Sequence, residues 1–371
     1  MKISNILLLA GCALCLLLPG KTNAEDANRG VVLTANDVSV RLSGTLQPRV
    51  TFASDDDVER VGFGVRRMRV RLSANISDRM GVFLQMEGSG GNATWLDIRG
   101  EYYLNNNLTL RTGRFVGTQP RAYARTGHAV IDAIDRPAIS DMWARMTIGA
   151  DGRDYGVEAI WSDVNREFRA FLHNGHNQLN YRQGLSNVPS TGGVKTEGFA
   201  FSGSATWWPD QRNGLEVGAY ASVNTSQNPL TAIGGVGRNY YSYSANVYWG
   251  PQPGDQPFRL KADFIGISYE DVEPFGQENY LGASLFGAVL AAPHIELFAM
   301  GEYWYADNGD ADSSGRMFGT VGASYSLSAL QGRPFALNRI IFTYGLRTLE
   351  SDSIDFDDAA HVFMMQAQFY F

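Results

Sequence analysis

Beyond Cys12 and Cys15 the sequence contains no cysteine. Past that point neither a disulfide framework nor a thiolate nucleophile can be built. After residue 18 no run approaches the roughly 18 consecutive apolar residues of a membrane-spanning helix. Lysine is confined to Lys2, Lys21, Lys195 and Lys261, so nearly all positive charge is arginine. The formal net charge of −7 argues against nucleic acid as a partner. What the chain has instead is glycine (41 residues) and aromatics (12%, with 17 Tyr and 20 Phe). A transmembrane barrel needs that mixture: one apolar face, one wet face and aromatic girdles.

The first residues speak to compartment. Lys2 supplies a short positive start, residues 6–18 are almost wholly apolar, and Pro19 and Gly20 break the run ahead of Thr22-Asn23-Ala24. This pattern predicts a secretory signal peptide over residues 1–24, leaving 25–371 as one domain. Leu9-Ala10-Gly11-Cys12 also matches a lipoprotein box, but the apolar core runs on past Cys12, where a lipidated cysteine is normally followed by a polar tether. Cleavage after Ala24 removes both cysteines, and a chain crossing an oxidising periplasm then has no thiols to mispair.

Period-two alternation dominates after residue 38. Met68, Val70, Leu72 and Ala74 alternate with Arg67, Arg69, Arg71 and Ser73. Leu96, Ile98, Gly100 and Tyr102 alternate with Asp97, Arg99, Glu101 and Tyr103, and Tyr241, Tyr243, Ala245, Val247 and Trp249 with Ser242, Ser244, Asn246 and Tyr248. Sixteen such segments are predicted, at 39–53, 62–76, 80–89, 94–104, 107–115, 153–161, 166–174, 197–208, 213–224, 239–249, 256–268, 277–290, 293–305, 316–327, 336–348 and 361–371. Connections alternate in length. Asp78-Arg79, 105–107, 162–165, 209–212 and 250–255 are short; 54–61, 116–152, 175–196, 225–237, 306–315 and 349–360 are long. Short turns on one side and long loops on the other describe an all-β transmembrane antiparallel barrel of sixteen strands in the bacterial outer membrane. An even count puts both termini on the short-turn, periplasmic side. A soluble β-sandwich or β-helix also alternates, but sixteen strands are many for a sandwich. Phe363, Met365, Ala367, Phe369 and Phe371 share one face to the last residue, a pattern that outer-membrane assembly machinery would recognise.

A barrel of this size leaves an aqueous channel. The lipid face is assigned by its apolarity, so the charged alternates face the lumen. Arg67, Arg69 and Arg71 then form a column with steps of about 6.6 Å, from a rise of about 3.3 Å per residue, with Arg41 and Arg49 expected inward on the neighbouring strand. Successive guanidinium groups suit the multi-site binding that conduction of small anions requires. The opposing expectation is that these arginines pair with lumen carboxylates such as Glu87, Asp97 and Glu101 and only stiffen the wall. The longest loop, 116–152, is expected to fold inward as a constriction carrying Arg121, Arg125, Arg136 and Arg145; an extracellular lid is the alternative.

Several pieces resemble the phosphate-selective porin O/P family: Arg66-Arg67-Met68-Arg69-Val70-Arg71-Leu72, Leu110-Arg111-Thr112-Gly113-Arg114-Phe115 with Pro120 after it, Ile134-Asp135-Arg136-Pro137, Tyr155-Gly156-Val157-Glu158 and Phe171-Leu172-His173-Asn174-Gly175. The pattern covers roughly the first half of the chain. The resemblance implies a homotrimer in outer-membrane lipid, with Arg67, Arg69 and Arg71 as a ladder for phosphate-like anions and Arg136 as a loop element. Phosphate-selective members carry lysines around the constriction, and residues 116–152 have none. A broader anionic or general small-solute channel therefore stays equally open.

Other chemistry is set aside. No G-x-S-x-G element is present, although barrel hydrolases exist without one, so an outer-membrane enzyme is the main rival class. Residues 307–315 resemble part of a calcium loop, but Val321 stands where the closing glutamate belongs, at position twelve with Asp310 as the first. His173 and His176 are read as solvent-facing rather than metal-binding. No cofactor or metal is expected.

Overall fold

The computed structural model describes residues 31–371 except 36–37, 56–57, 125–129, 149–150, 176–179, 182–193, 196–197, 210–213, 234–235, 272–275, 308–312 and 349–358. The expected signal peptide, Arg125 and His176 lie outside the described residues, as does much of the 307–315 loop.

Sixteen antiparallel strands close on themselves. They are β1 (Val38–Asp55), β2 (Val58–Ser77), β3 (Met80–Glu87), β4 (Thr94–Tyr103), β5 (Leu108–Phe115), β6 (Asp154–Ser162), β7 (Arg166–His173), β8 (Ala200–Trp207), β9 (Leu215–Ile233), β10 (Val236–Trp249), β11 (Phe258–Tyr269), β12 (Asn279–Ala292), β13 (Ile295–Asp307), β14 (Ser314–Ser326), β15 (Arg339–Thr348) and β16 (Ala359–Tyr370). Each pairs with its neighbours in sequence, and β16 closes onto β1 from His361↔Ser54 to Tyr370↔Thr45. Gly44 and Phe371 exchange backbone hydrogen bonds of 2.7 and 3.1 Å at the end of that seam. Closure leaves no row of unpaired backbone groups at the seam, which hydrocarbon demands.

The alternation sorts side chains by face. On β10, Tyr241, Tyr243, Val247 and Trp249 are exposed on the outer wall, while Ser242, Ser244, Asn246 and Tyr248 are buried inside. All sixteen predicted segments are strands. Residues 54–61 and 225–237, expected as loops, are instead mostly strand, because β1–β2 and β9–β10 continue as long hairpins. An additional strand, Val31–Ala35, pairs with residues 38–42 of β1.

Among the register shifts that break the period, two bear on the lumen. Gln47 pairs with Arg67 and Pro48 with Val65, so Arg66 is an extra residue in β2. Pro48 has no N–H to give the ladder, which makes it a natural partner for a bulge. Gln85 pairs with Asp97 and Met86 with Trp95, making Leu96 the extra residue of β4. Leu96 was expected on the lipid face. The bulge turns it inward, to 7% exposure, and leaves Trp95 (49%) and Ile98 (46%) outside.

The connection between β5 and β6 enters the barrel. It carries two helices, α1 (Arg121–Ala124) and α2 (Ala138–Met146). Pro137 precedes α2, where a missing N–H costs nothing. Ile139 and Trp143, four residues apart, share the face that packs with Tyr220, Ile265, Ile267, Tyr269 and Trp304 of the β9–β13 wall. Upstream, Ala133 and Ile134 pack with Phe286, Phe298, Ile341 and Met364. Trp143 is 1% exposed. Burying an indole of about 200 Å² contributes roughly 5 kcal/mol at about 25 cal/mol/Å².

Candidate functional site: the lumen and the segment folded into it

Polar contacts tie the inward segment across the whole bore. Thr118 donates to Glu158 on β6 at 2.8 Å, and Arg121 of α1 bonds Glu216 on β9 while lying 5.0 Å from the Tyr248 ring centroid. Asp132 is held by Arg259 and Lys261 of β11, each at 2.7 Å. Asp135 reaches the other side, pairing with Arg66 at 2.8 Å and Arg49 at 3.4 Å. In α2 the Ile139 N–H donates to Glu302 at 3.0 Å and Trp143 Nε1 to Ser242 at 2.6 Å. The Tyr269 hydroxyl donates to the Met146 carbonyl. Where the segment rejoins the wall, Gly152 has φ +63°, and a Cβ there would lie 1.8 Å from the Tyr123 ring. Only glycine fits this position, for both reasons.

The column Arg67, Arg69, Arg71 does face inward, opposite the exposed Met68 and Val70. Its members are held differently. Arg67, 2% exposed, donates to Gln47 at 2.9 Å; Arg69 pairs with Glu87 at 2.7 Å; Arg71 donates to Gln85 at 2.7 Å, Tyr370 at 3.1 Å and Thr45 at 3.2 Å. Arg67 makes no ion pair among the described residues. Arg49 joins this group through Asp135. Arg41 does not: it is exposed, on the end of β1 that pairs with the added strand. From the segment, Arg136 arrives beside the column, its guanidinium 4.9 Å from the Tyr123 ring and close enough to Arg66 and Arg69 for their charges to repel. Arg121 sits on the far wall, and Arg145 is exposed.

Two lumen arginines escape a strict reading of alternation, and a third, Arg111, follows it. Arg66 has lipid-face parity, but its bulge turns it to Asp135. An arginine left facing hydrocarbon at the bilayer midplane would cost about 2–4 kcal/mol, and that cost was the signal for a bulge. Arg153, just before β6, donates to Asp97 at 2.9 Å. Arg111 of β5 bridges Glu101 at 2.9 Å and Glu158 at 3.6 Å, and Glu101 also holds Arg99 at 2.9 Å. The β1–β7 arc is thus rich in guanidinium. The facing β9–β13 wall presents Glu216, Asp263, Glu296 and Glu302 to the segment and its neighbours. Separated arcs of opposite sign set up a field across the bore.

The segment's own carboxyls are driven apart. Burial alone would raise Asp135, but Arg66 and Arg49 hold it below the usual carboxylate range. Asp141 in the first turn of α2 is raised by burial, which outweighs the nearby Arg136.

Three solved structures are similar to this barrel in fold: OmpT, an outer membrane protein of Vibrio cholerae (TM-score 0.62, 12% identity, covering 92% of this chain and 100% of that one), an anion-selective porin from Comamonas acidovorans (0.66, 11%, 90% and 100%) and the outer membrane channel DcaP of Acinetobacter baumannii (0.59, 11%, 91% and 99%). The fold is that of outer-membrane porins. At these identities the likeness is one of fold alone. No family model matches the sequence, and no curated protein matches it.

Proposed function

We propose that this protein is an outer-membrane porin, assembled as a homotrimer, whose water-filled channel passes small solutes by diffusion and prefers anions. The observation that carries the reading is the crowding of Arg66, Arg67, Arg69, Arg136 and Arg153 where the inward segment meets the β1–β4 wall. Arg66, Arg69 and Arg153 hold carboxylates, Arg67 donates to the neutral Gln47, and Arg136 also lies over the Tyr123 ring. An anion entering this group meets several partly equivalent donors, which favours passage over trapping. Phosphate-like oxyanions are the natural cargo of such forks. A general porin is the second reading, favoured by the lysine-free segment and by the ion pairs that already occupy Arg69 and Arg153. In this setting the secreted chain crosses the periplasm after loss of residues 1–24, and the strand ending at Phe371 is what the barrel-assembly machinery reads.

Planar-bilayer recording tests this. The expected result is conductance in triplet steps, with a reversal potential in a salt gradient that reports anion preference. Replacing Arg67, Arg69 and Arg71 with alanine together should reduce that preference while heat-modifiable trimers still form. Cation preference in the unsubstituted protein overturns the role given to the arginines. Block of chloride current by micromolar phosphate separates the oxyanion channel from the general porin.

A further inference from the structure

A constellation outside the arginine group has a different chemistry. At the loop-side ends of β6, β7 and β8, the His173 ring joins two buried side chains: Nδ1 lies 2.7 Å from Asp154 Oδ2, and Nε2 lies 2.9 Å from Ser202 Oγ. Asp154 is fully buried and also accepts the N–H groups of Tyr155 (2.8 Å) and Gly175 (2.5 Å). The imidazole is fixed in plane by Phe171, stacked at 4.4 Å and 8°. The Tyr220 hydroxyl of β9 shares hydrogen bonds with Ser202, Ser222 and Ser242. An orienting carboxylate, an imidazole with both nitrogens engaged, a hydroxyl nucleophile and a side-chain O–H donor next to it are the parts that acyl transfer requires.

We propose that Ser202, His173 and Tyr220 form a lumenal ester-hydrolysing site, with Asp154 as the positioning residue. Ser202 Oγ adds to the carbonyl carbon of an ester as its proton passes to His173 Nε2. The oxyanion that forms accepts a hydrogen bond from the Tyr220 O–H. The carbon–oxygen bond to the alcohol then breaks, and His173 returns the proton to the leaving oxygen. Water, deprotonated by His173, releases the acid and restores Ser202; the sum is ester plus water to acid plus alcohol. Ser202 is 1% exposed and the Trp143 ring meets Tyr220 edge-on at 6.0 Å, so hydrolysis requires α2 to draw back far enough to admit an ester. This activity is independent of the channel reading: it uses none of the arginines.

The test uses the folded full-length barrel in detergent, a small fluorophosphonate and a short-chain nitrophenyl ester. The expected result is a phosphonyl adduct that peptide mapping places on Ser202, absent from Ser202→Ala, and ester turnover that falls at least about 10²-fold in Ser202→Ala and His173→Ala. Asp154→Asn should lower kcat with KM unchanged, a split that mere loosening of the wall does not produce. An unlabelled Ser202 in heat-modifiable, folded protein overturns the proposal, whether or not the variants fold. So does turnover that survives Ser202→Ala.

Discussion

At the scale of single residues, Asp135 and Asp141 show how environment divides two like groups. Asp135 sits against Arg66 and Arg49 and stays ionised into acid; Asp141 loses solvation without an equal partner and takes up its proton at a higher pH. As pH falls through the raised Asp141 range, one negative charge leaves the segment beside Arg136 while Asp135 keeps its own. The bore becomes more positive, so anion preference is expected to rise. A charge removed at about 4 Å in water is worth about 1 kcal/mol, or roughly fivefold at most. Reversal potentials taken across the carboxylate range measure it, and Asp141→Asn should flatten the profile. A profile unchanged by that substitution assigns the titration elsewhere. Residue identities were legible to different depths. Arg67, Arg69 and Arg71 follow from parity alone. Arg66 does not, because a one-residue bulge inverts parity and is visible only as a charge on the wrong face. His173 was visible as a histidine at a strand end, but Ser202 lies 29 positions away on the next strand, and no spacing rule links them.

At the scale of elements, the strands were readable because each alternates between lipid and water, so two environments write the same period. The helices of the inward segment were not. They are four and nine residues long, too short for periodicity to stand out, and α2 exists because its apolar face is buried rather than from intrinsic propensity. The length and charge of 116–152 did point to a segment folded inward. Its attachment is the testable part. Trp143 anchors α2 by packing beside Tyr220 and by donating to Ser242. Trp143→Ala should cost about 3–5 kcal/mol of that attachment. Because the closed sheet does not depend on this ring, the barrel itself should persist. The expected outcome is a folded barrel with normal heat-modifiability but larger or noisier single-channel currents and faster proteolysis within 116–152. Loss of the folded barrel instead would mean that segment and wall form one cooperative unit.

At the scale of the whole molecule, the net charge of −7 and the anion preference proposed for the bore point in opposite directions. Composition counts every carboxylate equally, including those on loops far from the path. An ion inside the bore responds to charges within about a screening length, which is about 10 Å at 0.1 M salt and 3 Å at 1 M. At low salt it therefore senses the guanidinium-rich β1–β7 arc together with Arg136, and the opposite wall's carboxylates offset this only in part, because Arg121 and Arg259 already engage Glu216 and Glu296. At 1 M each wall is felt only by ions touching it, and the middle of the bore becomes nearly neutral. Anion preference should accordingly be strong at 0.1 M and decline steeply toward 1 M, while an uncharged solute of similar size permeates equally at both. Reversal potentials at the two concentrations, with a neutral-sugar swelling assay beside them, measure this. A preference independent of salt would place selectivity in direct, desolvated contact with Arg67 and its neighbours rather than in the field of the wall. Cation preference at low salt would mean that the loops' carboxylates, not the arc, govern entry.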